Sequence, residues 1–167
     1  MKQLVWSGLM LALVSSTALA AGEPYVKVRT LSMELANTLA LQSNLACQKM
    51  GYQVSVSVVD RNGNTLAVVR DPLSGTHTLD VSLRKAQTAA TFQTDTITMQ
   101  GQSDFAGLRF AKGVLLIGGG IPVRIGGHFY GAVGVSGAPA KKVTGDIDHA
   151  CAITGIEAIK EAIEFAE

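Results

Sequence analysis

Val54-Ser55-Val56-Ser57-Val58-Val59-Asp60-Arg61-Asn62-Gly63 is the stretch on which the fold turns. Its valines and serines alternate with period two, and only an extended strand turns that alternation into two faces. Asn62-Gly63 then supplies two residues that tolerate positive φ, as a tight hairpin requires. Thr65 to Arg70 reads as the return strand. An antiparallel pair therefore sits in the first half of the chain, and the segments on either side must cover it.

Upstream, Ser32 is a good N-cap, and Glu34 in the first turn favours the positive end of a helix dipole. Leu35, Leu39, Ala46 and Met50 recur at roughly helical spacing, and Gly51 suits the left-handed residue that ends a helix. The spacing predicts a first helix over about residues 32–50. Downstream, Asp71-Pro72 and Ser74-Gly75 mark a loop. Thr78 is placed to cap a second helix, residues 79–92, with Leu79, Leu83, Ala86 and Ala90 toward the core. Asp80 and Arg84 stand four apart, where a surface pair forms.

Residues 93–111 read as irregular chain with at most a short helix. Val114 to Ile117 reads as a strand that runs into Gly118-Gly119-Gly120. Pro122 to Ile125, the turn Gly126-Gly127 and His128 to Ser136 make a second hairpin. Pro139 to Gly145 is a polar loop, and Asp146 is expected to cap a last helix lined by Ala152, Ile156, Ile159 and Ile163. Two hairpins and a fifth strand among helices predict an α+β fold with a mostly antiparallel sheet, not a parallel doubly wound one.

The N-terminus is an address. Lys2, the apolar run Leu4 to Val14 and the small residues of Ala18-Leu19-Ala20 are the three parts of a secretory signal peptide. The run is far short of the about 20 apolar residues that cross a bilayer. Residues 1–20 are thus expected to be cleaved, leaving 21–167 as a single domain, periplasmic or secreted. Losing Lys2 brings the 14 basic side chains to 13, equal to the 13 acidic ones. Such a neutral chain lacks the electrostatic footprint of a nucleic-acid or membrane-surface binder.

An oxidising destination makes Cys47 and Cys151 candidates for a disulfide, which would close a loop of about 105 residues. The other reading is two buried thiols acting as small apolar groups. His77, in the loop before the second helix, reads either as a ligand for a metal or haem iron or as a solvated loop residue. His128 follows a tight turn and reads as surface; His149 is placed to meet a local backbone or carboxylate partner. Gly118-Gly119-Gly120 matches no phosphate-binding fingerprint, but it allows another backbone or a flat ligand to come close. Ser136, in Gly134-Val135-Ser136-Gly137, fails as a nucleophile elbow because no helix follows it. No nucleophile with its base is visible, which favours binding over catalysis.

The stretch Val54 to Gly63 resembles the first hairpin of the GlcG/HbpS-type haem-binding family. So do Asp80 to Phe92, with Arg84-Lys85-Ala86 and Thr88-Ala89-Ala90, and the motifs Gly118 to Pro122 and Gly131 to Gly137. The similarity spans about residues 29–165. It implies a profilin-like α/β/α sandwich, a five-stranded antiparallel sheet with helices on both faces. It also implies haem as cofactor, bound near subunit contacts of a homo-oligomer. The family's site region corresponds here to His77, Thr78 and Asp80 with Lys85. His77 is the expected axial ligand, with Thr78 in reserve. Gly118, Gly119 and Gly120 would wall the slot, and Arg70, Arg84 or Lys85 would face the propionates. Absence of Cys-x-x-Cys-His argues against covalent attachment. The expectation is an exported haem-binding protein for sequestration, sensing or transfer. The alternatives are a peroxide-dependent haem-degrading enzyme and a small-metabolite module without haem.

Overall fold

The computed structural model describes residues 23–166, so the expected signal peptide, residues 1–20, lies outside the described residues. The elements run α1 (Met33–Lys49), β1 (Ser55–Val59), β2 (Thr65–Arg70), α2 (Thr78–Phe92), α3 (Thr96–Gly101), a 3-10 helix (Ser103–Phe110), β3 (Gly120–Ile125), β4 (His128–Ser136) and α4 (Asp146–Glu164). The strands form one antiparallel sheet in the order β2-β1-β4-β3. α1 and α4 cover one face of it and α2 the other.

β1 shows why both faces are covered. Val54, Val56 and Val58 join the core beneath α1 and α4, with Leu39, Val133 and Ile159. Ser55 and Ser57 point the other way and hydrogen-bond Thr78 at 2.7 Å and Ser82 at 2.8 Å. Two residues of strand and four of helix advance by nearly the same distance, about 6–7 Å, so the two pairs keep in step. α2 therefore faces the sheet with Thr78, Ser82, Lys85, Ala86 and Ala89, all buried, while Leu79 and Leu83 lie half-buried on its flanks. Of the four residues expected toward the core, Ala86 and Ala90 are buried and Leu83 packs against their cluster, while Leu79 lies at the margin. Small residues win because α2 lies very close to the sheet: a Cβ on Gly134 would collide with Ser82 O and Ala86 N.

The turns follow the sequence. Ser32 Oγ accepts from Leu35 N at 3.3 Å, and Gly51 (φ 85°) ends α1. Asp60 accepts from Asn62 N, Asn64 N and Asn64 Nδ2, which folds the first hairpin around Gly63. Two caps differ from expectation. Thr78 is the first residue of α2, and its hydroxyl donates back to Gly75 O at 2.6 Å. Gly145 occupies the N-cap of α4, while the Asp146 carboxylate accepts from Lys141 N and Lys142 N and closes the preceding loop.

The expected fifth strand, Val114 to Ile117, does not join the sheet, which has four strands among the described residues. The segment's polar groups are taken by helices instead. Leu115 N donates to Thr88 Oγ1, Arg84 donates to Val114 O, and Thr96 Oγ1 donates to Ile117 O. Side chains of α2 and α3 do what a ladder would have done. On the opposite face Cys47 and Cys151 are bonded, joining α1 to α4.

Candidate functional site

His77, Val81 and Lys85 are spaced by four, so they form one stripe along α2. Opposite it lie the end of β4, with Ser136, Gly137 and Ala138, and the start of α4, with Gly145 and Asp148. Between them is a cavity of about 290 Å³, lined also by Ile117. His77 is exposed at one end of the stripe, and Lys85 is buried two turns further on.

Lys85 Nζ donates to Asp148 Oδ2 at 2.8 Å and to Val135 O at 2.9 Å. Asp148 Oδ1 accepts from Ala138 N at 3.0 Å. Lys85 is 2% exposed and Asp148 3%, so the pair joins α2 to α4 in nearly dry surroundings. Burial pulls the Lys85 ammonium below its ordinary pKa, opposed by the Asp148 carboxylate. Burial likewise pushes the Asp148 carboxyl up, opposed by Lys85. Both shifts favour the uncharged forms.

The three glycines serve this arrangement. A Cβ on Gly119 (φ 114°) would stand 2.8 Å from Asp148 Cβ and 3.0 Å from Lys85 Nζ. One on Gly118 would meet Thr144 O at 2.9 Å, and one on Gly120 would collide with Lys85 O. Of the two readings of this run, close approach by another backbone is the one the structure displays: α2 and the loop before α4 occupy the space.

The remaining expected site residues are dispersed. Thr78 is buried, and its hydroxyl, having donated to Gly75 O, accepts from Ser55 and Ser74. Asp80 is exposed and lies 3.7 Å from Arg84, the surface pair the spacing predicts. Arg84 also donates to Val114 O at 3.3 Å and so reaches the 114–117 segment. Arg70 donates to Ser74 O. His149 finds a carboxylate, Asp95, at 4.0 Å, though from a distant segment; its Nδ1 is buried with no partner among the described residues.

Asp148, Ser136 and Thr144 were not singled out as site residues in the sequence. A signal for Asp148 existed. Lys85 lies between Ser82 and Ala86 on the face of α2 that meets the sheet, and a lysine buried there needs an anion. Which acid supplies it is a matter of tertiary packing, because 63 residues separate the two.

Haem supplies its own equatorial nitrogens and asks the protein for one or two axial donors, apolar walls and cations. Among the described residues no three of His, Cys, Asp and Glu gather as a bare metal ion would need. A lone imidazole beside Val81, Ile117, Ala138 and Ala140, with Lys141 and Lys142 on the adjoining loop, fits the haem requirement better. At about 290 Å³ the cavity is at the small end of ligand sites, which run about 300–1,000 Å³. It has room for an edge of a macrocycle and not for the whole.

Comparison with known proteins agrees with the fold. The family model described as haem degrading protein HbpS-like matches residues 31–157. The protein GlcG of Escherichia coli K12 is 32% identical over 108 residues, 64% of this chain and 81% of its own length. A double mutant of HbpS from Streptomyces reticuli superposes with a TM-score of 0.75 at 32% identity, covering 92% of this chain and 98% of that one. A PduOC:haem complex gives a TM-score of 0.67 at 26% identity, covering 78% and 95%.

Proposed function

The chain belongs to the HbpS-like family, and from that premise we propose that it is an exported haem-binding protein with His77 as axial ligand. The observation that carries the reading is the position of His77, exposed at the mouth of a partly apolar cavity on a fold shared with a haem complex. His77 would hold the iron, Val81, Ile117 and Ala138 would pack the edge of the ring, and Lys141 and Lys142 would meet propionates. Because the cavity takes only an edge, a second copy would cover the rest, which is the reason to expect a homo-oligomer. Export agrees with the Cys47–Cys151 bond, since disulfides persist in oxidising compartments. Among the described residues no helix is long and apolar enough to cross a membrane.

Titration of the purified protein with hemin tests the proposal. A saturable Soret band is expected, weakened or shifted in His77→Ala. No Soret change at micromolar hemin sinks the haem reading, and an unaltered band in His77→Ala removes the ligand assignment. The family's description as haem-degrading favours one second reading, oxidative breakdown of the bound haem. Its measure is Soret decay under peroxide, which must outpace that of free hemin if the protein takes part.

A further inference from the structure

An ammonium has three N–H groups. Lys85 uses two, on Asp148 and Val135 O, and the third has no partner among the described residues. Lys85 and Asp148 also line the same cavity, together with the hydroxyl residues Ser136 and Thr144 and the apolar Val81 and Ile117. An amine and a carboxyl 2.8 Å apart, dry enough to share one proton, are the groups that carbonyl condensation needs: a nucleophilic nitrogen and an acid to carry protons. The cavity volume, about 290 Å³, selects small substrates.

We propose that this cavity takes a small aldehyde or ketone and that Lys85 captures it as an imine. With the shared proton on Asp148, the Lys85 lone pair forms the N–C bond while the carbonyl π pair moves to oxygen. That oxygen takes the Asp148 proton. The carboxylate then removes a proton from nitrogen and delivers it to the hydroxyl, which departs as water when the nitrogen pair forms C=N. The products are water and a protonated imine paired with the Asp148 carboxylate. No electrons are gained or lost, so no oxidant or reductant is needed. Haem binding plays no part in the step.

Incubation of the folded, haem-free protein with propanal and sodium cyanoborohydride near neutral pH, followed by peptide mass mapping, tests the proposal. The exposed lysines Lys49, Lys112 and Lys160 are internal controls, since they lie outside the cavity. A propyl group should appear on Lys85 about tenfold faster than on those three. Lys85 left unmodified, or modified no faster than the controls, overturns the proposal. Val81→Phe should fill the cavity without touching the amine and abolish Lys85 labelling, with controls unchanged. If Val81→Phe does not fold, Ala140→Phe at the exposed rim takes its place. Labelling of Lys85 at the wild-type rate in a folded, cavity-filled variant also overturns the proposal.

Discussion

Lys85 on α2 and Asp148 on α4 meet at 2.8 Å beside Val135 near the end of β4, each almost wholly buried. They are the buried ion pair by which helices of opposite layers touch. Removing one partner leaves the other charge dry and alone, which costs about 3–5 kcal/mol. Replacing both with apolar groups removes the desolvation penalty with the attraction. Lys85→Met and Asp148→Leu should each lower stability by about that amount, and the double variant by clearly less than their sum. Urea denaturation of the four proteins measures the coupling. Additive losses would show that the two side chains do not depend on each other.

Gly134 sets how near α2 comes to the sheet. A Cβ there would collide with Ser82 O and would stand 2.6 Å from Ala86 N, both backbone atoms of a helix held by Ser55 and Ser57. A rigid helix cannot yield locally, so Gly134→Ala should cost about 1–3 kcal/mol by overpacking. It should also loosen the cavity that α2 walls. A melting temperature equal to wild type would mean that α2 shifts without penalty.

His149 makes stability depend on pH in a known direction. Burial holds its pKa below 6.5, opposed by the Asp95 carboxylate. Below that pH the unfolded chain binds a proton that the folded one resists, so acid favours unfolding. Stability from this group is full above pH 6.5 and falls as pH drops through it. Asp148, raised by burial, acts in the opposite sense, so the comparison must be with a variant. Melting temperatures across about pH 7.5 to 5.5 should fall more for wild type than for His149→Gln. Parallel curves would remove His149 as the source.

The hairpins were legible in the sequence because each depends on local chemistry. Val54 to Gly63 alternates and then turns at Asn62-Gly63, and Gly126-Gly127 takes positive φ at both positions. Residues 114–117 misled because apolar content says nothing of ladder partners, which Thr88 and Thr96 replaced. The face of α2 was read only in part: Ala86 and Ala90 are buried as expected, but Thr78, Ser82 and Lys85 share that face. Leucines are the stronger apolar signal, but the close approach of α2 to Gly134 is made at the small residues Ser82 and Ala86. His77 and Lys85 were grouped only through the family resemblance, and the cavity they both line includes Asp148, which the polar 139–145 loop brings back from the other layer.

The Cys47–Cys151 bond offers a prediction that separates the crosslink from the side chains that make it. Both residues are fully buried where α1 meets α4, and 104 positions separate them in sequence. Closing so long a loop restricts the unfolded chain, worth up to about 4–5 kcal/mol in the chain-entropy model and often about 2–4 in practice. Alanine substitution would confuse this with a cavity, because each missing sulfur leaves a void in the core. Reduction keeps both sulfurs in place and removes only the constraint. The reduced protein should therefore lose about 2–4 kcal/mol in urea denaturation, and Cys47→Ala with Cys151→Ala should lose more. Native protein should resist thiol labelling and weigh about two mass units less than its reduced form. Free thiols in the native protein, or equal stability before and after reduction, would show that packing of α1 on α4 holds this layer without the bond.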